Sequence, residues 1–408
     1  MHFSPALSFN ISSSNIRVVI MTKMKLNNQK QLFSIPREIT YLNIASQSPS
    51  FKAVEKAGIE GILEKSHPYK IIGDHYFEPV KNLKKLFAEL IEVHDYNRIA
   101  NIPSASYGLA TVANNIRLKK NDEILLIEEQ FPSNYYVWEK LAKKFDAKIK
   151  VVAMPKSKIN RGKSWNEAIL ESISDKTTVV SLGNIHWANG TLFDLKTIRE
   201  KTTKHKALLI VDGSQSVGVL PFSVKEIQPD ALICAGYKWL FGPYGCGYAY
   251  FGDYFDNGNP IEENWSNRLN SENIGNLTNY ELQYKPLANR YSTGEHASFI
   301  YIKMQIEALK QILIWTPKAI QAYCKEITSE AVITLKENDC FIEDSAARSH
   351  HLFGVELPER LDIERLKTRL LKEHIFISFR GNYIRFSCHL YNTKEDFKKL
   401  TNCILSCL

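Results

Sequence analysis

Three side chains within residues 207–250 (ALLIVDGSQSVGVLPFSVKEIQPDALICAGYKWLFGPYGCGYAY) have the types and order of a site built to form an imine: a carboxylate at Asp212, an amide at Gln215 and an amine at Lys238. A lysine that adds to a carbonyl must sit partly desolvated so that its amine is available, and the apolar, glycine-rich AGYKWLFGPYGCGY supplies such a setting. A carboxylate touching a protonated ring nitrogen keeps the proton there. At ~4 Å and an effective dielectric of ~20 that contact gives about 4 kcal/mol before desolvation, or several pKa units. Gln215, three residues on from Asp212, could reach a hydroxyl of the same ring. Taken singly, Asp212 also reads as a strand-end residue capping a turn, and Lys238 as a cation on a surface loop. The combination points to a ring-bearing cofactor.

The elements that must position these residues follow from the hydrophobic pattern. Residues 207–211 are an unbroken apolar run closed by Asp212, which predicts a parallel strand buried on both faces. A second such run, 231–235, ends in Gly236-Tyr237-Lys238, and Gly242, Gly245 and Gly247 follow in a turn where backbone passes close to a ligand. Further strands at 123–127, 150–153 and 178–182 alternate with helical stretches, so the class is α/β with a doubly wound sheet. Ligands of such sheets sit beyond the carboxyl ends of the strands, where Asp212 and Lys238 fall. Amphipathic helices are expected at 81–93 and 104–116, and a long helix at 296–314. The second opens with Ile102-Pro-Ser-Ala-Ser-Tyr-Gly108, either a plain serine cap or a seat for a phosphate on free amides and the positive dipole end.

DGSQSVG followed by AGYKWLFGPYGCGY resembles the class V aminotransferase group of fold type I enzymes, which use pyridoxal 5'-phosphate (PLP). That group also holds cysteine desulfurases, kynureninases and isopenicillin N epimerase-like proteins. The resemblance starts at YLNIASQS (41–48) and runs to about Asn392. It implies the PLP-dependent transferase fold: a large PLP-binding domain over 41–295 with a mostly parallel seven-stranded sheet, then a bridging helix and a smaller α+β C-terminal domain over 296–408. It also implies roles. Lys238 would hold the cofactor covalently, Asp212 would pair with the pyridine nitrogen, and Gln215 would touch the ring oxygen. Tyr237 would place its hydroxyl on the phosphate, and Ala105 and Ser106 match the turn that seats it, Ala105 through its amide alone. Phe131 stands where many members have a histidine; it can stack on the ring but carries no proton. Asn184 matches a residue that bonds the ring oxygen or the substrate. His186 and Trp187 beside it either line the pocket or pack the next turn. Arg385 matches the arginine that grips the substrate α-carboxylate, a task suited to a planar guanidinium, although a strand arginine elsewhere is usually a solvated charge. Trp265 and the segment 290–296 match regions that cross a homodimer interface to the neighbouring cofactor.

The implied activity is amino-group transfer between an amino acid and a 2-oxo acid. Kynureninase-type cleavage, C–S or β-lysis and epimerisation use the same cofactor residues and stay open. So does a PLP-binding regulator without turnover. A nicotinamide enzyme is disfavoured because no GxGxxG follows a strand. Desulfurases use a loop cysteine near the substrate arginine, but none stands between Ser378 and Arg385, and strand alternation puts Cys388 on the face opposite Arg385.

Composition sets outer bounds. The chain has 408 residues, 44% of them hydrophobic and 24% charged, which is ordinary for a globular protein. Its net charge of +8 is inflated by Arg17, Lys23, Lys25, Lys30 and Arg37, which stand before any acid; no basic stripe with aromatics follows, and nucleic acid is not an expected partner. No apolar stretch of about 20 residues is present, so no membrane span is expected. The seven cysteines (234, 246, 324, 340, 388, 403, 407) form no CxxC pair and have no histidine at metal spacing, which suggests reduced thiols in a cytoplasmic protein and no metal. Residues 1–24 are serine-rich and free of acids, faintly like an organelle transit segment. Met21 and Met24 make an overlong start the preferred reading of this stretch, within an N-terminal segment 1–40.

Overall fold

Strand β1 (Thr40–Tyr41) stands apart from the seven that follow: β2 (Ile99–Ile102), β3 (Glu123–Ile127), β4 (Lys148–Val152), β5 (Thr177–Gly183), β6 (Leu208–Asp212), β7 (Ala231–Ala235) and β8 (Gly247–Phe251). These seven form one sheet in the order β2-β8-β7-β6-β5-β3-β4. Only β8 runs against its neighbours; the other pairings are parallel. The computed structural model describes residues 25–381 and 383–408, so the serine-rich stretch 1–24 lies outside the described residues.

Side-chain alternation along these strands divides the interior into two cores. Leu125, Ile127, Val180, Leu182, Leu209, Val211 and Leu232 join one cluster, packed with the helices Glu78–Leu90, Arg161–Ser172 and Phe299–Trp315. Ile124, Leu126, Val179, Ile210, Ala231 and Ile233 join the other, beneath Ala105–Asn114 and Ser133–Phe145. A sheet covered on both faces needs continuous apolar strands, which is why β6 and β7 read as unbroken runs. It also leaves the strand ends as the place where a ligand can approach. The expected doubly wound, mostly parallel sheet is present, and among the described residues no helix is long and apolar enough to cross a membrane.

Element ends differ from expectation for local reasons. β4 begins at Lys148, two residues before the apolar run, because an edge strand can pair along β3 while Lys148 stays in water and Lys150 donates to the Ser172 carbonyl. The long helix starts at Phe299, capped by Ser298. It stops at Trp315, where Thr316 adopts a positive φ of 61° and a second helix, Pro317–Glu337, begins with proline in its first turn.

Four more strands complete the chain: β9 (Leu352–Glu356), β10 (Ile375–Phe376), β11 (Ser378–Arg380) and β12 (Tyr383–Ser387). The order β11-β12-β9 is antiparallel, while β10 pairs in parallel with β1. The segment after β1 therefore runs beside β12: Asn43 bridges Ser387, and the Ala45 amide donates to Ser387 Oγ at 3.0 Å. Residues distant in sequence thus meet at the carboxyl edge of the large sheet.

Gly108 sets how closely the Ala105–Asn114 helix approaches that edge. A Cβ there would lie 2.8 Å from Ile102 Cδ1 and 2.8 Å from Ile233 Cγ2, on β2 and β7. Both are fully committed core side chains, so Gly108→Ala is expected to lose about 1–3 kcal/mol in a denaturant titration through overpacking. A stability unchanged within error would mean the helix can shift without cost.

Candidate active site

Five strands deliver side chains or loop residues to one cavity of about 190 Å³ at their carboxyl ends. Ser104, Ala105 and Ser106 follow β2, Gln130 and Phe131 follow β3, and Ile185 and Trp187 follow β5. Asp212, Ser214 and Gln215 come from the end of β6, Tyr237 and Lys238 from that of β7. Of the residues singled out from sequence, Ala105, Ser106, Phe131, Asp212, Gln215, Tyr237 and Lys238 share this wall. Asn184 and Arg385 are buried but are not part of it.

Lys238 is only 7% exposed. Its ammonium lies 5.4 Å from the centre of the Phe131 ring and 5.6 Å from that of Tyr237. Burial pulls its pKa down to about 8; Asp212 opposes the shift, while Arg385 and Arg380 add to it. More of the amine is therefore unprotonated near neutral pH than in an exposed lysine, as addition to a carbonyl requires. Asp212 Oδ1 accepts the Ser214 amide at 3.0 Å, and Ser214 Oγ accepts the Ala235 amide at 3.0 Å, which locks the ends of β6 and β7 together.

Gln215 is engaged on three sides. Its Oε1 accepts from Trp239 Nε1 at 2.9 Å, its Nε2 donates to the Ala45 carbonyl at 3.1 Å, and its own carbonyl lies 2.8 Å from His351 Nε2. One amide N–H is left for a ligand. Tyr237 is half-buried, 4.5 Å from the Tyr244 ring, and its backbone carbonyl accepts from the amide and hydroxyl of Ser48. At the other end of the cavity, Ser104 caps its helix by accepting the Tyr107 amide at 3.1 Å and sits 2.9 Å from Ser106 Oγ. Phe131 meets Trp187 edge-on at 5.4 Å.

His186 and Trp187 separate cleanly. His186 is buried against Trp165, with Nε2 3.3 Å from the Glu128 carbonyl and Nδ1 accepting the Asn189 amide, and burial depresses its pKa to about 4. It packs the turn. Trp187 lines the cavity and donates to the Glu129 carbonyl at 2.7 Å.

Arg385, 1% exposed, donates to the Trp187 carbonyl at 2.9 Å and to Ser46 Oγ at 2.8 Å, while its Nε has no partner. Arg380 reaches the same Ser46 hydroxyl at 3.4 Å. Neither Arg380 nor Ser46 stands out as a site residue in the sequence. The signal for Arg380 was the Arg-Gly turn ahead of the strand that carries Arg385; Ser46 had none beyond lying in YLNIASQS. Trp265 and 290–296 lie away from this chain's own cavity, Trp265 packing edge-on to Tyr76 and Phe77. None of the seven cysteines lines the cavity, and all are buried.

This site and fold have counterparts. The chain matches the family description "Aminotransferase class-V" over residues 70–400. It is 26% identical over 373 residues to an uncharacterized aminotransferase, YcbU, of Bacillus subtilis, covering 90% of this chain and 94% of that one. It is 25% identical over 391 residues to a probable cysteine desulfurase of Borreliella burgdorferi, covering 88% and 86%. Among solved structures, a mutant of C-DES with glycine covalently linked to its PLP cofactor superposes with a TM-score of 0.80 at 20% identity, over 92% of this chain and 98% of that one. The cysteine desulfurase CsdA of Escherichia coli gives 0.75 at 16% identity, over 93% and 97%. An acid and a desolvated lysine meeting at the carboxyl edge of this sheet are what PLP requires of a protein, and the chain belongs to the class-V aminotransferase family of PLP-dependent enzymes.

Proposed function

We propose that this class-V enzyme is an aminotransferase, moving an amino group from an amino acid to a 2-oxo acid. We also propose that it works as a cytoplasmic homodimer whose 290–296 segment reaches the neighbouring subunit's cofactor. In this reading the 41–295 portion holds the cofactor and the 296–408 portion supplies the grip on the substrate. The observation that carries it is the buried Lys238 amine, flanked by Asp212 and Phe131, in a cavity whose wall holds no thiol.

PLP bound here supplies an electron sink that acidifies the substrate Cα–H. Lys238 would be the covalent anchor for its aldehyde, and its amine would be the base that moves the proton at the substrate Cα. Asp212 holds the proton on the pyridine nitrogen, and Tyr237 with the amides of Ala105 and Ser106 receives the phosphate. Phe131 covers one ring face and keeps water from it. Asn184, buried behind the wall, would have to reach the ring oxygen or substrate from there. Arg385 takes the α-carboxylate.

A desulfurase needs a reactive thiolate, and the cysteines argue against one. Cys388 Sγ faces the His350 carbonyl at 3.8 Å, and burial, with Cys324 beside it, pushes its thiol well up. Burial pushes Cys340 up to about 11. A lyase that releases its sulfur product without a protein thiol fits the same cavity and is the second reading; C-DES is described as a cystine C–S lyase.

Four measurements test these assignments. In apoprotein, PLP uptake followed by visible absorbance should accelerate as pH rises through about 8, the value to which burial lowers Lys238, and not near its ordinary 10.5. Borohydride should then fix the cofactor to Lys238, and an unchanged band in Lys238→Ala would disprove the anchor. Asp212→Asn should still load cofactor but lose at least about a hundredfold in turnover, ~2.7 kcal/mol of barrier; a tenfold loss would make Asp212 structural. A donor and acceptor screen on holoenzyme should yield paired 2-oxo acid and amino acid products. Pyruvate and ammonia from cysteine-type substrates would favour the lyase instead, and a stoichiometric persulfide on Cys388 or Cys340 would favour a desulfurase.

A further inference from the structure

We propose that the substrate of this site carries a second acidic group on its side chain, held by Arg380 while Arg385 holds the α-carboxylate. This rests on the reading of Arg385 as the carboxylate grip, and adds the substrate class.

The β11–β12 hairpin places the two arginines together. Arg385 stands opposite Ser378, so Arg380, two positions further along β11, projects from the same face on the diagonal. Both guanidinium groups then converge on Ser46 Oγ, at 2.8 and 3.4 Å. That hydroxyl gives its proton to Asn43 Oδ1, and the other acceptors the two cations meet are neutral backbone carbonyls, that of Trp187 for Arg385 and that of Phe379 for Arg380. Each guanidinium has a buried Nε without a partner, and both flank the indole of Trp187, at 5.7 and 6.0 Å from the ring centre.

Other arginines of the chain show what is missing. Arg161 pairs with Glu343, Arg199 with Asp230 and Arg98 with Asp256. Among the described residues, neither Arg380 nor Arg385 has a carboxylate within ion-pair distance. Lys238, which feels the charge of both arginines, adds a third cation, and Asp212 is the one acid on the wall of its cavity. Asp212 and Lys238 are committed to the cofactor, and its phosphate belongs at the Ala105–Asn114 end. One α-carboxylate satisfies one guanidinium and leaves the other uncompensated, a costly state that an additional anionic group relieves. The same excess charge repels a basic side chain, so the pair both attracts diacids and rejects lysine-like substrates.

Inert acids test this without turnover. Holoenzyme is titrated calorimetrically with succinate, 3-sulfopropionate and butyrate. Succinate or 3-sulfopropionate should bind at least tenfold more tightly than butyrate, the better of the two showing whether the second group is a carboxylate or a sulfonate. Arg380→Gln should abolish that preference while moving butyrate less than threefold, Arg380→Lys should restore part of it, and Arg385→Gln should weaken all three. Equal affinity for diacid and monoacid in wild type overturns the proposal. So does an Arg380→Gln variant that weakens every ligand alike, which would put both arginines on the α-carboxylate. If Arg385→Gln leaves butyrate unchanged, it is the reading of Arg385 that fails. The Lys238-bound chromophore, monitored in the same samples, reports separately on the cofactor site.

Discussion

Keeping one amine dry beside one carboxylate is the constraint on which this structure depends. Lys238 lies at the end of a strand covered on both faces, so water reaches it only through the cavity. The resulting desolvation draws its pKa to about 8 despite Asp212. An exposed loop lysine would keep its proton, and a deeply buried one without Asp212 would lose its counter-charge. The close approach of β6 and β7, fixed by the Ser214 hydroxyl on the Ala235 amide, holds the pair between these limits.

Gln215 carries that constraint outward. Its side chain fastens Trp239, the neighbour of Lys238, and the carbonyl of Ala45; its backbone meets His351. Three parts of the chain are thereby tied at one residue: the β7 turn, the segment after β1 and the approach to β9. His351 and His389, both wholly buried, have pKa values depressed to about 3 by burial and stay neutral, so they pack against Trp239 without adding charge near the amine. The cation excess around the amine comes from Lys238 itself and from Arg380 and Arg385, whose charges reach it from beyond the cavity wall.

What could be read from sequence follows from how each residue is placed. Asp212 ends one apolar run and Lys238 follows another, and the carboxyl end of a parallel strand is a fixed address, so the strands and the edge where both side chains stand were legible together. The two-face burial of β5 to β7 was legible for the same reason. Arg380 was not, because its meaning lies in the register of a hairpin that turns between two arginines five positions apart. Ser46 was less so: its contact with Arg385 spans 339 residues and exists because β1 pairs with β10. His186 and Trp187, adjacent in sequence, take opposite roles because alternation along the chain sends one into the core and the other to the cavity, and sequence gave no phase for the turn they share.

The comparisons bring together proteins described as aminotransferases, cysteine desulfurases and a cystine C–S lyase. That spread has a physical cause. The acid, the lysine and the phosphate seat are demanded by the cofactor, and every reaction starting at a substrate Cα needs them alike. Discrimination must come from what surrounds the rest of the substrate. In this chain that region offers two guanidinium groups beside the indole of Trp187, and no thiol lines the cavity. A neutral thiol substrate would leave Arg380 uncompensated and would find no nucleophile for its sulfur. An acidic substrate supplies the missing charge where the protein has left it out.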